Sequence, residues 1–266
     1  MRRRMLRSLI RSPSGGGGFF AYNFAANSRI SLEIVRSVIS GSSEANGGVS
    51  RPDAVHDSQV SVASKSSIYR NEWANPCASP LLGWNLTGGS AMPLPVAVPA
   101  TTKNKLTLRS VDDRIENFTT AILATGSRRF YDAPLNAAPR DNRIDLQLTG
   151  TTIVTPSCSP ATAGSSNTGA PAFDPAATDI RLIGAWVANN AASAGDHNIV
   201  RAELRGVTGS GLRSNIYAHA AAGSRSAKPR FRGTGNKLEL IGDLQAFTRT
   251  NRGIDPAPAA SFFNSR

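Results

Sequence analysis

Seven short segments of this 266-residue chain share one pattern, in which a polar residue, most often Asn, precedes apolar residues at every second position. Such alternation predicts β-strands, because successive side chains of a strand point to opposite faces of a sheet. The segments recur at similar steps, five of them between 16 and 22 residues and one of 37. They begin at residues 104, 120, 142, 179, 198, 215 and 236.

A repeat of about 19–20 residues with one alternating strand is too short for a β-α-β unit. It favours an all-β fold, a single-stranded parallel β-helix (solenoid) in which each turn of the coil is one repeat and stacked turns bury a shared column of aliphatic side chains. Asn at matching positions is expected to stack, each side-chain amide bonding to the next. A β-sandwich has similar strands and turns, so it remains the alternative.

The runs NRIDLQLTGTTIV, TDIRLIGAWVANN and HNIVRAELRGVTGSG resemble turns of the right-handed parallel β-helix proteins, the pectin-lyase-like superfamily. The resemblance covers residues 27–250 and implies a right-handed β-helix there. It also implies an extracellular or cell-surface location and, in many members, contact with polysaccharide along a groove outside one sheet. The superfamily includes lyases, glycoside hydrolases and non-enzymatic adhesins or tail proteins.

The two ends of the chain depart from the repeat. Residues 1–26 are rich in Arg and contain no acid, which predicts a disordered basic tail. This composition also fits a mitochondrial transit peptide, the alternative location, and it lacks the apolar core of a secretory signal. Residues 251–266 contain Pro256 and Pro258, which end strand pairing, so this segment is predicted to be a C-terminal cap or tail. No run of the chain is long and apolar enough to predict a transmembrane helix.

The net charge of +12 is concentrated in two segments. Residues 1–36 contain seven Arg and one acid, and residues 201–235 contain seven basic residues and one acid. Two basic segments in a chain that is otherwise close to neutral predict attraction to polyanions. An acidic polysaccharide is favoured over nucleic acid as the partner. The polyanion-binding candidates are Arg201, Arg205, Arg213, Arg225, Lys228, Arg230 and Arg232.

One acidic cluster is the candidate for catalysis. Asp112 and Asp113 resemble the paired Asp of β-helix hydrolases, whose general acid and base are carboxyl groups, and the adjacent Arg114 is the candidate base of a lyase. The Gly-His-Gly and Arg-Ile-Lys elements of those hydrolases are absent. A solvated bend with a local ion pair is therefore the favoured interpretation, and a non-enzymatic module that binds an acidic glycan is the leading function. A lyase or hydrolase is the alternative, and calcium is expected only in that case.

The remaining reactive side chains indicate no metal or redox site. His56, His197 and His219 are not spaced as metal ligands, and no C-x-x-C motif is present. Cys77 and Cys158 are compatible either with one disulfide in a secreted chain or with two separate thiols.

Overall fold

The computed structural model describes residues 2–6, 9–10, 18–73, 76, 82–91, 97–129, 137–156, 178–187, 195–209, 215–223, 234–242 and 248–250. The regular secondary structure of these residues is entirely β-strand, so they contain no helix able to cross a membrane. In chain order the strands are β1 (Arg2–Leu6), β2 (Leu9–Ile10), β3 (Phe19–Tyr22), β4 (Arg29–Val35), β5 (Val38–Ser40), β6 (Ser43–Asn46), β7 (Gln59–Lys65), β8 (Ile68–Arg70), β9 (Leu82–Ala91), β10 (Lys105–Val111), β11 (Arg114–Glu116), β12 (Thr120–Arg129), β13 (Arg143–Thr149), β14 (Thr152–Val154), β15 (Thr178–Val187), β16 (Ile199–Arg205), β17 (Thr208–Gly209), β18 (Asn215–Gly223), β19 (Lys237–Gly242) and β20 (Thr248–Thr250).

The strands form three sheets, and every pairing between these strands is parallel. Sheet A has the order β1-β4-β7-β10-β13-β16-β19, sheet B the order β2-β5-β8-β11-β14-β17, and sheet C the order β3-β6-β9-β12-β15-β18-β20. The chain visits A, then B, then C, and returns to A beside the strand it left. An all-β fold with three such sheets is consistent with a parallel β solenoid.

The repeat length predicted from the sequence is wrong by about a factor of two. Lys105 is in register with Arg143, and Ile199 with Lys237, so these paired strands start 38 residues apart. The other neighbours from β4 to β16 are separated by 30, 46 and 56 residues. Strands of sheet A and sheet C have the same alternating pattern, so the sequence signal occurs twice in each true repeat.

The inward side chains of sheet A stack in columns. Leu106 of β10 is in register with Val60 of β7 and Ile144 of β13, and all three are fully buried. One cluster of buried hydrophobic side chains has members from all three sheets, including Leu106, Ile115 and Ile122. Burial of a side chain of this size contributes about 1.5–3 kcal/mol. Because the packing partners belong to neighbouring repeats, the repeats stabilise one another.

A row of buried asparagines, the asparagine ladder, runs along the turn that precedes sheet A. The backbone N–H and the Nδ2 of Asn104 each donate to Oδ1 of Asn142 over 3.1 Å. Asn142 donates in the same way to Asn198 over 3.1 and 3.3 Å, and Asn198 to Asn236 over 3.0 and 2.9 Å. The stacking of asparagines predicted from the sequence is confirmed at these four positions.

Left-handed residues shape the same turn. The residue before each ladder asparagine has a positive φ, for example 56° at Lys103 and 54° at His197. The side chain that follows each of these left-handed residues, that of the ladder asparagine, is buried. Asp, Asn and Gly tolerate the left-handed conformation best among the amino acids, and Asp141 and Gly235 occupy two of the four positions.

Three strands lie in the segment for which a disordered tail is predicted. β1 pairs with β4, β2 with β5 and β3 with β6, which makes them the first repeat. The alternation of β1 is masked in the sequence by its arginines, whereas pairing to an existing strand depends on backbone groups alone. The cap predicted for residues 251–266 lies outside the described residues.

Candidate functional site: the outer face of sheet A

The outward side chains of sheet A form a charged surface, here called the basic face. Burial alternates along each strand, so that in β10 Leu106, Leu108 and Ser110 are buried while Lys105 and Arg109 are exposed. Across β4 to β19 this face has eight basic and four acidic side chains, a net charge of +4. The basic residues are Arg29, Lys65, Lys105, Arg109, Arg143, Arg201, Arg205 and Lys237, and the acidic residues are Glu33, Asp145, Glu203 and Glu239.

Charge on the basic face is arranged by column. A column here is the set of in-register outward residues, one from each strand. The first column contains four basic residues and no acid. Three of the four acids lie in the next two columns, on strands β13 to β19. Strands in a sheet are about 4.8 Å apart, so in-register side chains repeat at that spacing. The first column is Arg29, Gln59, Lys105, Arg143, Ile199 and Lys237.

Ion pairs hold part of this surface in place. Asp145, only 8% exposed, lies 3.1 Å from Lys105 and 2.9 Å from Arg143. Arg201 lies 3.8 Å from both Glu203 and Glu239, and Arg205 also contacts Glu203. The basic partners are all substantially exposed to solvent, which weakens each pair, so the pairs orient the side chains more than they stabilise the fold.

Lys65 and Arg109 are exposed and have no carboxylate partner among the described residues. They lie on the neighbouring strands β7 and β10, where Lys65 is in register with Val111 and Arg109 with Ala63. Cations without an internal partner keep their full charge available for an anion in solution. These two residues are therefore the ones most directly available to a polyanion.

The polyanion-binding candidates from the sequence are only partly described by the structure. Arg201 and Arg205 lie on β16 in the basic face, each beside a glutamate. The structure adds six basic residues of other strands that the sequence analysis did not group with them. What these six residues share is a basic side chain at an outward-facing position of successive strands. This pattern can be recognised only when the register of the strands is known. The candidates Arg213, Arg225, Lys228, Arg230 and Arg232 lie outside the described residues.

The acidic cluster lies at the two-residue turn between β10 and β11, and its carboxyl groups are not brought together. Asp112 has a φ of 52° and is exposed, whereas Asp113 is 1% exposed and points inward. Arg114 is exposed on β11 and donates from Nε to Glu116. The turn thus separates one carboxyl group in solvent from one in the core.

Asp113 belongs to a buried polar network. It accepts hydrogen bonds from the Ser67 backbone N–H over 2.7 Å and from the Ser110 hydroxyl over 2.6 Å. Burial raises the pKa of the Asp113 carboxyl, and the bonds from Ser110 and Ser67 oppose that shift. Burial also raises the pKa of the nearby Tyr69 hydroxyl, which is 2.6 Å from the Ser64 hydroxyl, and the charge of Asp113 adds to the shift. These hydrogen bonds satisfy the buried polar groups beneath the turn between β10 and β11.

The structure describes the side chains of two of the three histidines, His56 and His197. His56 is 2.8 Å from Asp57 at the surface, and His197 occupies a left-handed position in the turn before sheet A. Within the part of the chain that the structure describes, no three His, Cys, Asp or Glu side chains are grouped to hold a metal ion. Cys77 and Cys158 lie outside that part.

A second polar site escaped the sequence analysis. Tyr22, Glu44, Asn85 and Arg128 line a pocket of about 140 Å³ on sheet C. They are separated by up to 106 positions in the chain, and the registers of β3 with β6, of β6 with β9 and of β9 with β12 bring them together. One local signal was available in the sequence, the aromatic residues at every second position of FFAYNF.

Comparison with protein-family models, with curated proteins and with solved structures yields no match.

Proposed function

We propose that this chain is a non-enzymatic, right-handed parallel β-helix module, secreted or at a cell surface, that binds an acidic polysaccharide along the basic face. The observation that carries the proposal is the set of eight cations against four acids on one face of sheet A. A linear polyanion lying across the strands meets a basic side chain in most repeats. Long-range attraction then guides the encounter, and many weak contacts add up.

The order of the sheets supports the β-helix assignment. Each strand is followed by strands of the other two sheets before the chain returns to pair in parallel with its predecessor. Connections between parallel strands of one sheet are right-handed in about 98% of cases. The pectin-lyase-like resemblance of the sequence points to the same architecture.

The acidic cluster favours binding over hydrolysis. A glycosidase needs two carboxyl groups that face the same glycosidic bond, about 5–10 Å apart and open to substrate. Asp113 is buried under the turn and hydrogen-bonded there, while Asp112 faces solvent. Asp113 is thus placed to satisfy the turn and not to reach a polymer on the surface.

The test measures binding to heparin at several salt concentrations. The chain is compared with a double variant, Lys65→Gln and Arg109→Gln, which removes two exposed cations of the basic face. Each lost contact is expected to reduce the slope of log K against log salt by about 1 and to weaken binding at low salt, because fewer counterions are released.

The matched control is Arg70→Gln with Arg114→Gln, which removes two positive charges from sheet B, where both arginines contact Glu116. Its net charge equals that of the test variant. Equal weakening by both variants would show that only total charge matters, and the proposal would then be rejected. Failure of the wild-type chain to bind heparin at low salt would also reject it.

A further inference from the structure

The charges of the basic face are paired to different degrees along the stack of strands. Three acids on β13, β16 and β19 each contact two cations of the same face. These contacts join Asp145 to Lys105 and Arg143, Glu203 to Arg201 and Arg205, and Glu239 to Arg201 and Lys237. Every basic residue that these three strands contribute to the face therefore has a carboxylate partner. An acidic polymer that binds there has to compete with these carboxylates for the same cations.

Three exposed cations on the earlier strands have no such partner. Arg36 follows β4, Lys65 ends β7 and Arg109 lies on β10, and within the described part of the chain none of them forms an ion pair. The backbone N–H of Arg36 donates to the Lys65 carbonyl over 2.9 Å, and Lys65 is in register with Val111, two positions after Arg109. Strands are about 4.8 Å apart and two residues of a strand span about 6.6 Å, so one short polymer segment can contact all three side chains.

The surface beside these three cations consists of small hydroxyl side chains. Ser31, Ser61 and Thr107 form the second outward column on β4, β7 and β10, and both serines are exposed. Small side chains let a polymer lie close to the sheet, and their hydroxyl groups can donate hydrogen bonds to its acidic groups. On the next three strands the same column consists of charged residues that are already paired, namely Asp145, Arg201 and Glu239.

Two acids lie on the same strands or turns as the three cations, and neither is paired with them. Glu33 is in the outward column of Arg109 and is separated from it by Ala63 of β7. Asp112 is exposed in the turn that follows β10. Because neither acid forms an ion pair with Arg36, Lys65 or Arg109, the three cations stay available to an anion in solution.

We propose that the acidic polymer binds at the end of the basic face made by β4, β7 and β10, where Arg36, Lys65 and Arg109 hold its sulfate or carboxylate groups. The acids of β13, β16 and β19 keep the polymer from the other end by occupying the cations there. This inference rests on the proposed function and specifies the part of the basic face that performs it. Contact with the polymer is concentrated on three repeats.

The first test compares Lys65→Gln with Arg205→Gln in heparin binding at several salt concentrations. The two residues belong to one outward column, lose the same charge, and lie three strand spacings apart, about 14 Å. That distance exceeds the Debye length of about 8 Å at physiological salt. Lys65→Gln should reduce the slope of log K against log salt by about 1, and Arg205→Gln by less than about 0.3. Arg36→Asn, which suits the left-handed φ of 48° at this position, should act like Lys65→Gln.

The second test is a gain of binding. Asp145→Asn keeps the shape of the side chain and removes the charge that holds Lys105 and Arg143, so heparin should bind more tightly and the slope should increase by about 1. Thermal unfolding followed by circular dichroism checks that each variant is folded. A gain of affinity cannot result from a loss of folding, so this variant is informative even where the others lose stability.

The outcomes separate this inference from the proposed function. Equal losses in Lys65→Gln and Arg205→Gln, or no gain in Asp145→Asn, would overturn the inference while heparin binding by the wild-type chain still supported the basic face as a whole. A wild-type chain that does not bind heparin at low salt would reject both.

Discussion

Two short turns flank sheet A, and they share a backbone conformation while differing in side chains. In both, a residue with positive φ is followed by one whose side chain points inward, as at Asp141 and Asn142 before β13 and at Asp112 and Asp113 after β10. Asn occupies the inward position of the first turn in four successive repeats. The inward positions of the second turn are Ser37, Ser67, Asp113, Thr151 and Val207.

The difference between the two turns shows what allows a row of hydrogen-bonded polar side chains to continue from one repeat to the next. A side-chain amide contains both a donor and an acceptor, so each Asn bonds to the repeats on both sides. A carboxylate only accepts, and a hydroxyl has a single proton to donate. The second turn is therefore a local network centred on Asp113, and it ends where Val207 has no polar atom to contribute.

The largest effect is expected when the asparagine ladder is interrupted. Asn142→Ala removes the acceptor of two bonds from Asn104 and leaves Oδ1 of Asn198 without one of its donors. Several buried polar groups lose partners at about 1–3 kcal/mol each, so we expect a loss of about 3–5 kcal/mol in the free energy of unfolding. Urea denaturation followed by circular dichroism measures it.

Gln147→Ala on the same strand is the control, because Gln147 is exposed on the outward face. Its effect should be within about 0.5 kcal/mol. A loss of less than about 1 kcal/mol in Asn142→Ala would mean that the ladder contributes no more than an ordinary surface contact.

An intermediate, pH-dependent effect is expected at the second turn. Because the pKa of Asp113 is raised above the ordinary value of 3.8, the folded chain binds this proton more tightly than the unfolded chain. The free energy of unfolding should therefore fall as pH rises from about 4 through the raised pKa, with a slope of at most about 1.4 kcal/mol per pH unit. Asp113→Asn should abolish that fall, as measured by urea denaturation across a pH series.

Asp112→Asn is the matched control for this pH series. It alters the exposed neighbour at a left-handed position that Asn tolerates well, and it should retain the wild-type fall. The same pH dependence in wild type and Asp113→Asn would place its origin in another group.

The smallest effect is expected from Thr151, the equivalent of Asp113 in the next repeat. Its hydroxyl is 3.0 Å from the Ser110 hydroxyl, which retains its bond to Asp113 when Thr151 is changed. Thr151→Val keeps the shape of the side chain, and Val207 already occupies this position one repeat further on. The free energy of unfolding should change by about 1 kcal/mol or less. A loss comparable to that of Asn142→Ala would show that hydroxyls propagate the row as effectively as amides.

Local patterns predicted individual strands and the asparagine ladder, but they did not predict the length of the repeat. Asn104 and Asn142 could be recognised because Asn directly precedes an alternating segment in each case. Thr120 begins a similar segment, yet it belongs to sheet C and pairs with Thr178 of β15. Alternation indicates which side chains of a strand are buried, but it does not indicate to which sheet the strand belongs.

The candidate site residues also separate into those that local sequence identifies and those that only the strand register identifies. Arg201 is identified because it lies in a segment with a local excess of basic residues. Lys65 and Arg109 are missed because they lie outside both basic segments, in a part of the chain where acids offset the basic residues. Asp112 and Asp113 are adjacent in sequence, and the left-handed turn sends one to solvent and one to the core. Adjacency in the sequence therefore did not indicate where the two carboxyl groups of the acidic cluster point, and it concealed the basic face.

By itself, the sequence determined that the chain is built of short strands with one apolar face, because alternation and propensity act over a few neighbouring residues. The tertiary structure alone decided which strands pair, and hence that eight cations share one surface and that Glu44, Asn85 and Arg128 meet in one pocket. Those contacts join residues that are far apart in the chain, and the loops between them vary in length. Only the register of the stacked backbones fixes which of these distant residues become neighbours.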